Sequence, residues 1–211
     1  MASIGILGGT FNPPHLGHLA VARHALTELA LDRVVLMPAN TPPHKSDAED
    51  PGAEHRLAMC RIVVGRCERM SACGLEIERG GPSYTVDTLN AVHASHPQAR
   101  LTFIVGADTA QTMHGWRAPA RILELAELAV ATRTGSAREA VLATVAGLSD
   151  GTVERPREPR FLAMGAVEVS SSAVRRAVAA GEPVASLVGE GVASYIAEHG
   201  LYRDANAEAA R

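Results

Sequence analysis

The chain has 211 residues, 46% of them hydrophobic, which suits one α/β domain with ample material for a core. Its 20 Lys plus Arg stand against 23 Asp plus Glu, so the chain as a whole carries no electrostatic footprint for DNA, RNA or an anionic membrane. The N-terminus runs straight into a strand without a basic leader, and no stretch approaches the roughly 18 consecutive apolar residues of a membrane span, so a soluble, cytoplasmic protein is expected.

Along the chain, short apolar runs alternate with longer segments of helical period. Strands are predicted over 3–7, 33–37, 71–76, 101–105, 128–132 and 161–163. Helices are predicted over 16–30, 53–66, 85–95, 109–114, 120–126 and 137–146, with a last pair at 172–180 and 191–199. This repeating β-α-β order predicts an α/β fold: a single Rossmann-like, doubly wound parallel sheet with helices on both faces and a small C-terminal helical part, in one domain over residues 1–203. The small, polar tail over 204–211 is expected to be disordered. Cys60, Cys67 and Cys73 form no C-x-x-C pair and no disulfide framework, which predicts reduced, structural thiols. Ligands in such folds bind beyond the carboxyl ends of the strands.

The first strand leads into Gly8-Gly9-Thr10-Phe11-Asn12-Pro13-Pro14-His15-Leu16-Gly17-His18. Two glycines let the backbone turn sharply and approach a ligand, and two histidines three residues apart then share one face of a helix start. The first turn of a helix presents unpaired N–H groups and the positive dipole end, so anionic oxygens placed there meet several donors at once. The turn, the spacing and the helix end agree on a nucleotide phosphate site, against the blander reading of a capped strand-to-helix turn.

Six further segments carry polar chemistry. Pro42-Pro43-His44-Lys45 ends a stiff loop and reads either as a phosphate-facing flap or as an ordinary Pro-rich loop. Glu54, His55 and Arg56 open the next helix, where Arg56 reaches either a ligand or a surface carboxylate. In Pro82-Ser83-Tyr84-Thr85-Val86-Asp87-Thr88-Leu89, Thr85 and Asp87 suit helix capping, while the same N–H groups with the Thr85 hydroxyl suit a small carboxylate. Val105-Gly106-Ala107-Asp108 ends a buried strand with an acid fit for ribose hydroxyls, and Trp116-Arg117 follows, its indole either core packing or a surface for a heteroaromatic ring. Thr132-Arg133-Thr134-Gly135 offers a guanidinium to the same crevice. Val169-Ser170-Ser171-Ser172-Ala173-Val174-Arg175 opens a late helix as either a serine cap or a polyphosphate site.

Together G-G-T-F-N-P-x-H-x-G-H, P-P-H-K, S-Y-T-V-D-T-L, G-A-D followed by W-R, the S-S-S-x-V-R helix start and the ending Tyr195-Ile196-x-x-His199-Gly200-Leu201-Tyr202 resemble the bacterial nicotinate mononucleotide adenylyltransferase family over residues 3–202. The first motif is shared by the wider nucleotidyltransferase superfamily; S-Y-T-V-D-T-L and the G-A-D and Trp pair narrow the resemblance to a pyridine nucleotide. The resemblance implies that Gly8, Gly9, Thr10, Phe11, His15 and His18 bind ATP, with Thr10 and both histidines on its phosphates and His18 nearest the α-phosphorus. It implies that Gly106 and Asp108 sit against nucleotide sugar, and that Ser171 and Arg175 take the polyphosphate. Nicotinate mononucleotide would meet Asn12, Lys45, Thr85, Trp116 and Arg133. Lys45 would hold its phosphate or the leaving pyrophosphate, Thr85 with nearby N–H groups would receive the carboxylate, and Trp116 would stack on the ring. His18, His15, Lys45 and Arg175 would form the catalytic group. Two departures stand out: Arg133-Thr134-Gly135 where Arg-Pro-Gly is common, which loosens the backbone at Arg133, and Pro14 where an aliphatic residue is usual.

The implied reaction joins ATP and nicotinate mononucleotide to give nicotinate adenine dinucleotide and pyrophosphate, with Mg²⁺ carried on the ATP phosphates and no metal site of the chain's own. The nucleophile is a phosphate monoester already ionised near neutral pH, its second pKa being about 6, so no general base is needed. What the step needs is in-line positioning and compensation of charge. The expected partners are these two small molecules, with neither nucleic acid nor membrane, and a homo-oligomer stays open. Competing readings are another transferase of the superfamily, such as one acting on pantetheine phosphate, and a nucleotide-binding sensor without turnover. A Rossmann dehydrogenase is disfavoured because the turn lacks G-x-G-x-x-G.

Overall fold

The computed structural model describes residues 1–43, 49–65, 67–132, 138–148, 157–163, 165 and 169–203. Lys45, Arg133 and the 204–211 tail therefore lie outside the described residues. In chain order the elements are β1 (Ser3–Gly9), α1 (Leu16–Glu28), β2 (Arg33–Pro38), α2 (Ala53–Val64), β3 (Met70–Ala72), α3 (Leu75–Arg79), α4 (Thr85–Ser95), β4 (Arg100–Gly106), α5 (Ala107–Gln111), α6 (Pro119–Leu125), β5 (Glu127–Thr132), α7 (Arg138–Ala146), β6 (Arg160–Ala163), α8 (Ser171–Ala179), α9 (Ala185–Val188) and α10 (Glu190–Glu198). The strands pair in the order β3-β2-β1-β4-β5-β6, every ladder parallel. Chain direction across the sheet reverses between β1 and β4, the switch point at which such sheets open a crevice for ligands.

Side chains alternate across the sheet, so each central strand feeds two cores. Phe103 and Val105 of β4 face a core shared with α4, α6 and α7, while the intervening Ile104 faces the core under α1 and α2. A third cluster joins Met59 of α2 to Val174, Val188, Val192 and Ile196, fastening α8, α9 and α10 to α2 as the small helical part that the sequence predicts. No helix among the described residues is long and apolar enough to cross a membrane.

Several boundaries differ from expectation. Residues 71–76 do not form one strand: β3 ends at Ala72, and α3 occupies the second half of that stretch. Gly74 caps α3 where an added Cβ would lie 2.9 Å from Leu57 Cδ2, so close packing against α2 sets the break. The predicted helix over 109–114 begins earlier as α5 and is continued by a 3₁₀ turn, Met113–Gly115. Asp108 thus sits in the first turn of α5 rather than at a strand end.

Candidate active site

The first motif does not turn at its glycines. Gly8 and Gly9 extend β1 and pair with Met37 and Pro38 of β2. Their small size matters instead, because a Cβ at Gly8 would come 3.1 Å from the Phe103 ring and one at Gly9 3.3 Å from the Phe11 ring. The turn follows at Phe11, whose φ of 54° is unusual outside glycine and whose ring is buried, and at the cis Asn12-Pro13 bond. His15 is then the N-cap of α1 and His18 its third residue. The rings stack with centroids 3.7 Å apart, and Phe11 packs edge-on to His18 at 4.9 Å.

Two clefts open at the carboxyl edge of the sheet. One, of about 660 Å³, lies between this turn and the start of α8 and is lined by His15, His18, Gly106, Ser171 and Arg175. The other, of about 680 Å³, lies towards α4 and is lined by Glu76, Thr85, Asp108 and Trp116. Gly8, Gly9, Thr10 and Thr109 line both, so two ligands bound there would meet over the end of β1.

The second cleft is assembled by cross-links between loops. The Asn40 N–H donates to Ser83 Oγ (2.8 Å), the Asn40 amide to the Gly81 carbonyl (2.9 Å), and the Ser83 N–H to the Thr41 carbonyl (2.9 Å). Thr85 is the first residue of α4, after the N-cap Tyr84, and no side chain caps this helix. The capping reading of Thr85 therefore falls away, and its hydroxyl stands at a helix N-terminus beside the cleft. Asp87 pairs with Arg117 at 3.4 Å in an exposed bridge of little energetic weight. Trp116 is packed against the core and also faces the cleft. It packs edge-on to Phe103 at 6.1 Å, donates from Nε1 to Thr112 Oγ1 (3.1 Å) and still lines the cleft.

Glu76, which spacing alone gave no reason to single out, is buried beneath this cleft and accepts from Thr88 Oγ1 at 2.6 Å. Arg79 also donates to Thr88 Oγ1, at 3.2 Å. Burial pushes the Glu76 carboxyl above its ordinary value, against hydrogen bonds from Thr88 and Ser83 and the nearby charges of Arg79 and Arg56.

The C-terminal helical part grips the first motif. Ser170 is the cap of the serine cluster, accepting from the Ala173 N–H at 3.2 Å, which releases Ser171 to donate to the Pro13 carbonyl at 2.9 Å. Arg175 donates to the Asn12 carbonyl at 2.8 Å and pairs with Glu49. Tyr202 donates from its hydroxyl to Asn12 Oδ1 at 2.8 Å. Asn12 is 2% exposed, and its Nδ2 has no acceptor among the described residues.

Of the two readings of Arg56, the carboxylate one holds: it donates to the exposed Asp50 at 2.9 Å and lines neither cleft. Yet Arg56 itself is 0% exposed, and it also donates to the carbonyls of Thr10 (2.9 Å), Ala39 (2.5 Å) and Asn40 (2.8 Å). One guanidinium thereby ties the end of β1 to the end of β2, a use of its fixed five-donor fork that lysine does not match.

A family model described as cytidylyltransferase-like matches residues 6–177. The chain is 38% identical over 205 residues to a probable nicotinate-nucleotide adenylyltransferase of Symbiobacterium thermophilum, covering 96% of each chain. It is 41% identical over 207 residues to a protein of the same description from Albidiferax ferrireducens, covering 97% of this chain and 100% of that one. Among solved structures, the Plasmodium falciparum nicotinic acid mononucleotide adenylyltransferase complexed with NaAD shares the fold at a TM-score of 0.73 and 16% identity, covering 96% of this chain and 98% of the other.

Proposed function

The chain belongs to the cytidylyltransferase-like family and, within it, to the nicotinate-nucleotide adenylyltransferases, and from that premise we propose how its residues divide the work. The reaction is transfer of the adenylyl group of ATP to nicotinate mononucleotide, giving nicotinate adenine dinucleotide and pyrophosphate in NAD biosynthesis. The observation that carries the division is the pair of clefts sharing Gly8, Gly9 and Thr10. ATP takes the cleft of His15, His18, Ser171 and Arg175, and the pyridine nucleotide takes the cleft of Thr85 and Trp116.

In this arrangement the acceptor phosphate attacks the α-phosphorus across the end of β1, in line with the departing pyrophosphate. The acceptor needs no base. His18, held in the first turn of α1, donates to the transferring phosphoryl group, while His15 and the N–H groups of that turn add positive potential. Arg175 spends Nε and one terminal nitrogen on Glu49 and Asn12, which fixes the guanidinium plane and leaves further donors for the polyphosphate. Lys45, which follows β2 in the sequence, supplies charge. Mg²⁺ enters as part of the substrate, on the ATP oxygens.

The nicotinate carboxylate meets the N-terminus of α4 and the Thr85 hydroxyl, and the ring lies on Trp116. A carboxamide would turn an NH₂ towards those donors, which selects the acid. We further place the enzyme in the cytoplasm as one nucleotidyltransferase domain over residues 1–203. Incubation with ATP, Mg²⁺ and nicotinate mononucleotide tests the reading: nicotinate adenine dinucleotide must appear in a 1:1 ratio with pyrophosphate.

A further inference from the structure

We propose that Tyr202 is a positioning residue for adenylyl transfer, acting through Asn12 on the turn that delivers His15 and His18; the inference rests on the functional reading above. Tyr202 lines neither cleft, so its hydroxyl does not touch a substrate bound there. It reaches 190 residues back along the chain to Asn12 Oδ1, three positions before the N-cap His15. Asn12 cannot set its own amide, since Nδ2 lacks an acceptor among the described residues, and the Tyr202 hydroxyl holds the one side-chain contact that fixes it.

Tyr202 is itself placed firmly. Leu201 is buried in the third core, its N–H bonded to the Ile196 carbonyl at 3.0 Å, and Gly200 supplies the left-handed φ of 61° that ends α10 and aims the next residues back at α2. Burial also pushes the Tyr202 phenol up, so the hydroxyl keeps its proton as a donor throughout the neutral range. With Ser171 on the Pro13 carbonyl and Arg175 on the Asn12 carbonyl, α8 and the segment after α10 hold two consecutive residues of the turn at three points. Ser171, Arg175 and Asn12 itself line the cleft, whereas Tyr202 lines neither cleft and bears on it through Asn12.

The test uses full-length Tyr202→Phe, Asn12→Leu and the double variant, with hydrogen exchange of the segment 9–15 and steady-state turnover well below the melting temperature. Tyr202→Phe should speed exchange of that segment about tenfold and lower kcat about tenfold, with KM for both substrates within about twofold. In the Asn12→Leu background it should lower kcat no further. A fall in melting temperature with kcat and segment exchange unchanged would make the bond merely structural and overturn the proposal. Multiplicative losses in the double variant would overturn it too, since Tyr202 would then act by another route. If wild type releases no pyrophosphate from ATP and nicotinate mononucleotide, the functional reading fails, while the exchange experiment still decides whether Tyr202 holds the turn.

Discussion

The backbone N–H of His15 donates to Nδ1 of His18 at 3.2 Å, while the two imidazoles stack with centroids 3.7 Å apart. Because Nδ1 is the acceptor, a neutral His18 carries its proton on Nε2, and the first turn of α1 fixes the tautomer along with the ring. Replacing His18 with Ala should therefore lower kcat by about 10²–10³-fold, as the loss of one preorganised transition-state donor does, with a smaller change in KM for ATP. Steady-state kinetics decide this, and an unchanged kcat would remove His18 from the chemistry.

Arg56 is the buried charge on which three loops depend, so Arg56→Ala takes a donor from three carbonyls and leaves Asp50 with the Gly52 N–H but no cation among the described residues. A destabilisation of about 3–5 kcal/mol is expected in urea unfolding, the range for removing one partner from a buried charged network. Arg56→Lys should recover part of it only, because an ammonium does not span carbonyls that far apart. A loss under 1 kcal/mol would mean that water replaces the fork.

Acceptor choice should depend on Thr85 and Trp116 in different ways. Trp116→Ala should raise KM for nicotinate mononucleotide about tenfold while KM for ATP changes little, since the indole lines the cleft proposed for the acceptor and not the one proposed for ATP. Thr85→Val keeps the shape and deletes the hydroxyl. It should shrink the preference of kcat/KM for the acid over the amide by about tenfold, mostly through the acid. Equal losses with both acceptors would show that the hydroxyl does not read the carboxylate.

Glu76 makes stability depend on pH in a definite direction. Its folded-state pKa is raised, by burial first, above the ordinary 4.5. Between those two values the folded protein holds a proton that the unfolded chain has released, so this group's contribution is largest below pH 4.5 and is lost as pH rises through the folded value. Glu76→Gln keeps an acceptor for Thr88 and removes the titration. Its unfolding free energy relative to wild type should therefore increase from pH 4 to 7, and a flat difference would mean that Glu76 ionises in the fold as it does in water.

The sheet and the first motif were legible because each is local: apolar runs announce buried strands, and the His15 and His18 spacing announces one helix face. Other features depend on what the chain meets in space. Residues 71–76 look like a strand, yet β3 is a three-residue edge that stops where Gly74 approaches Leu57. The four residues of α9 are too few to display a period. Arg56 sits among the buried Leu57, Met59 and Cys60, which was the available sign that it faces inward, but nothing in its spacing shows that carbonyls of two strand ends converge on it. The ending that closes on Tyr202 was visible as a motif, whereas its bond to Asn12 required the fold.

In the proposed arrangement ATP and a carboxylated pyridine nucleotide meet over Gly8, Gly9 and Thr10, where the two clefts join. The most direct measurement is pyrophosphate release from ATP and Mg²⁺ with nicotinate mononucleotide, nicotinamide mononucleotide and phosphopantetheine as parallel acceptors. Release is expected mainly with the nicotinate form. Equal release with the amide would contradict the carboxylate site at α4, and release with phosphopantetheine alone would contradict the pyridine cleft altogether.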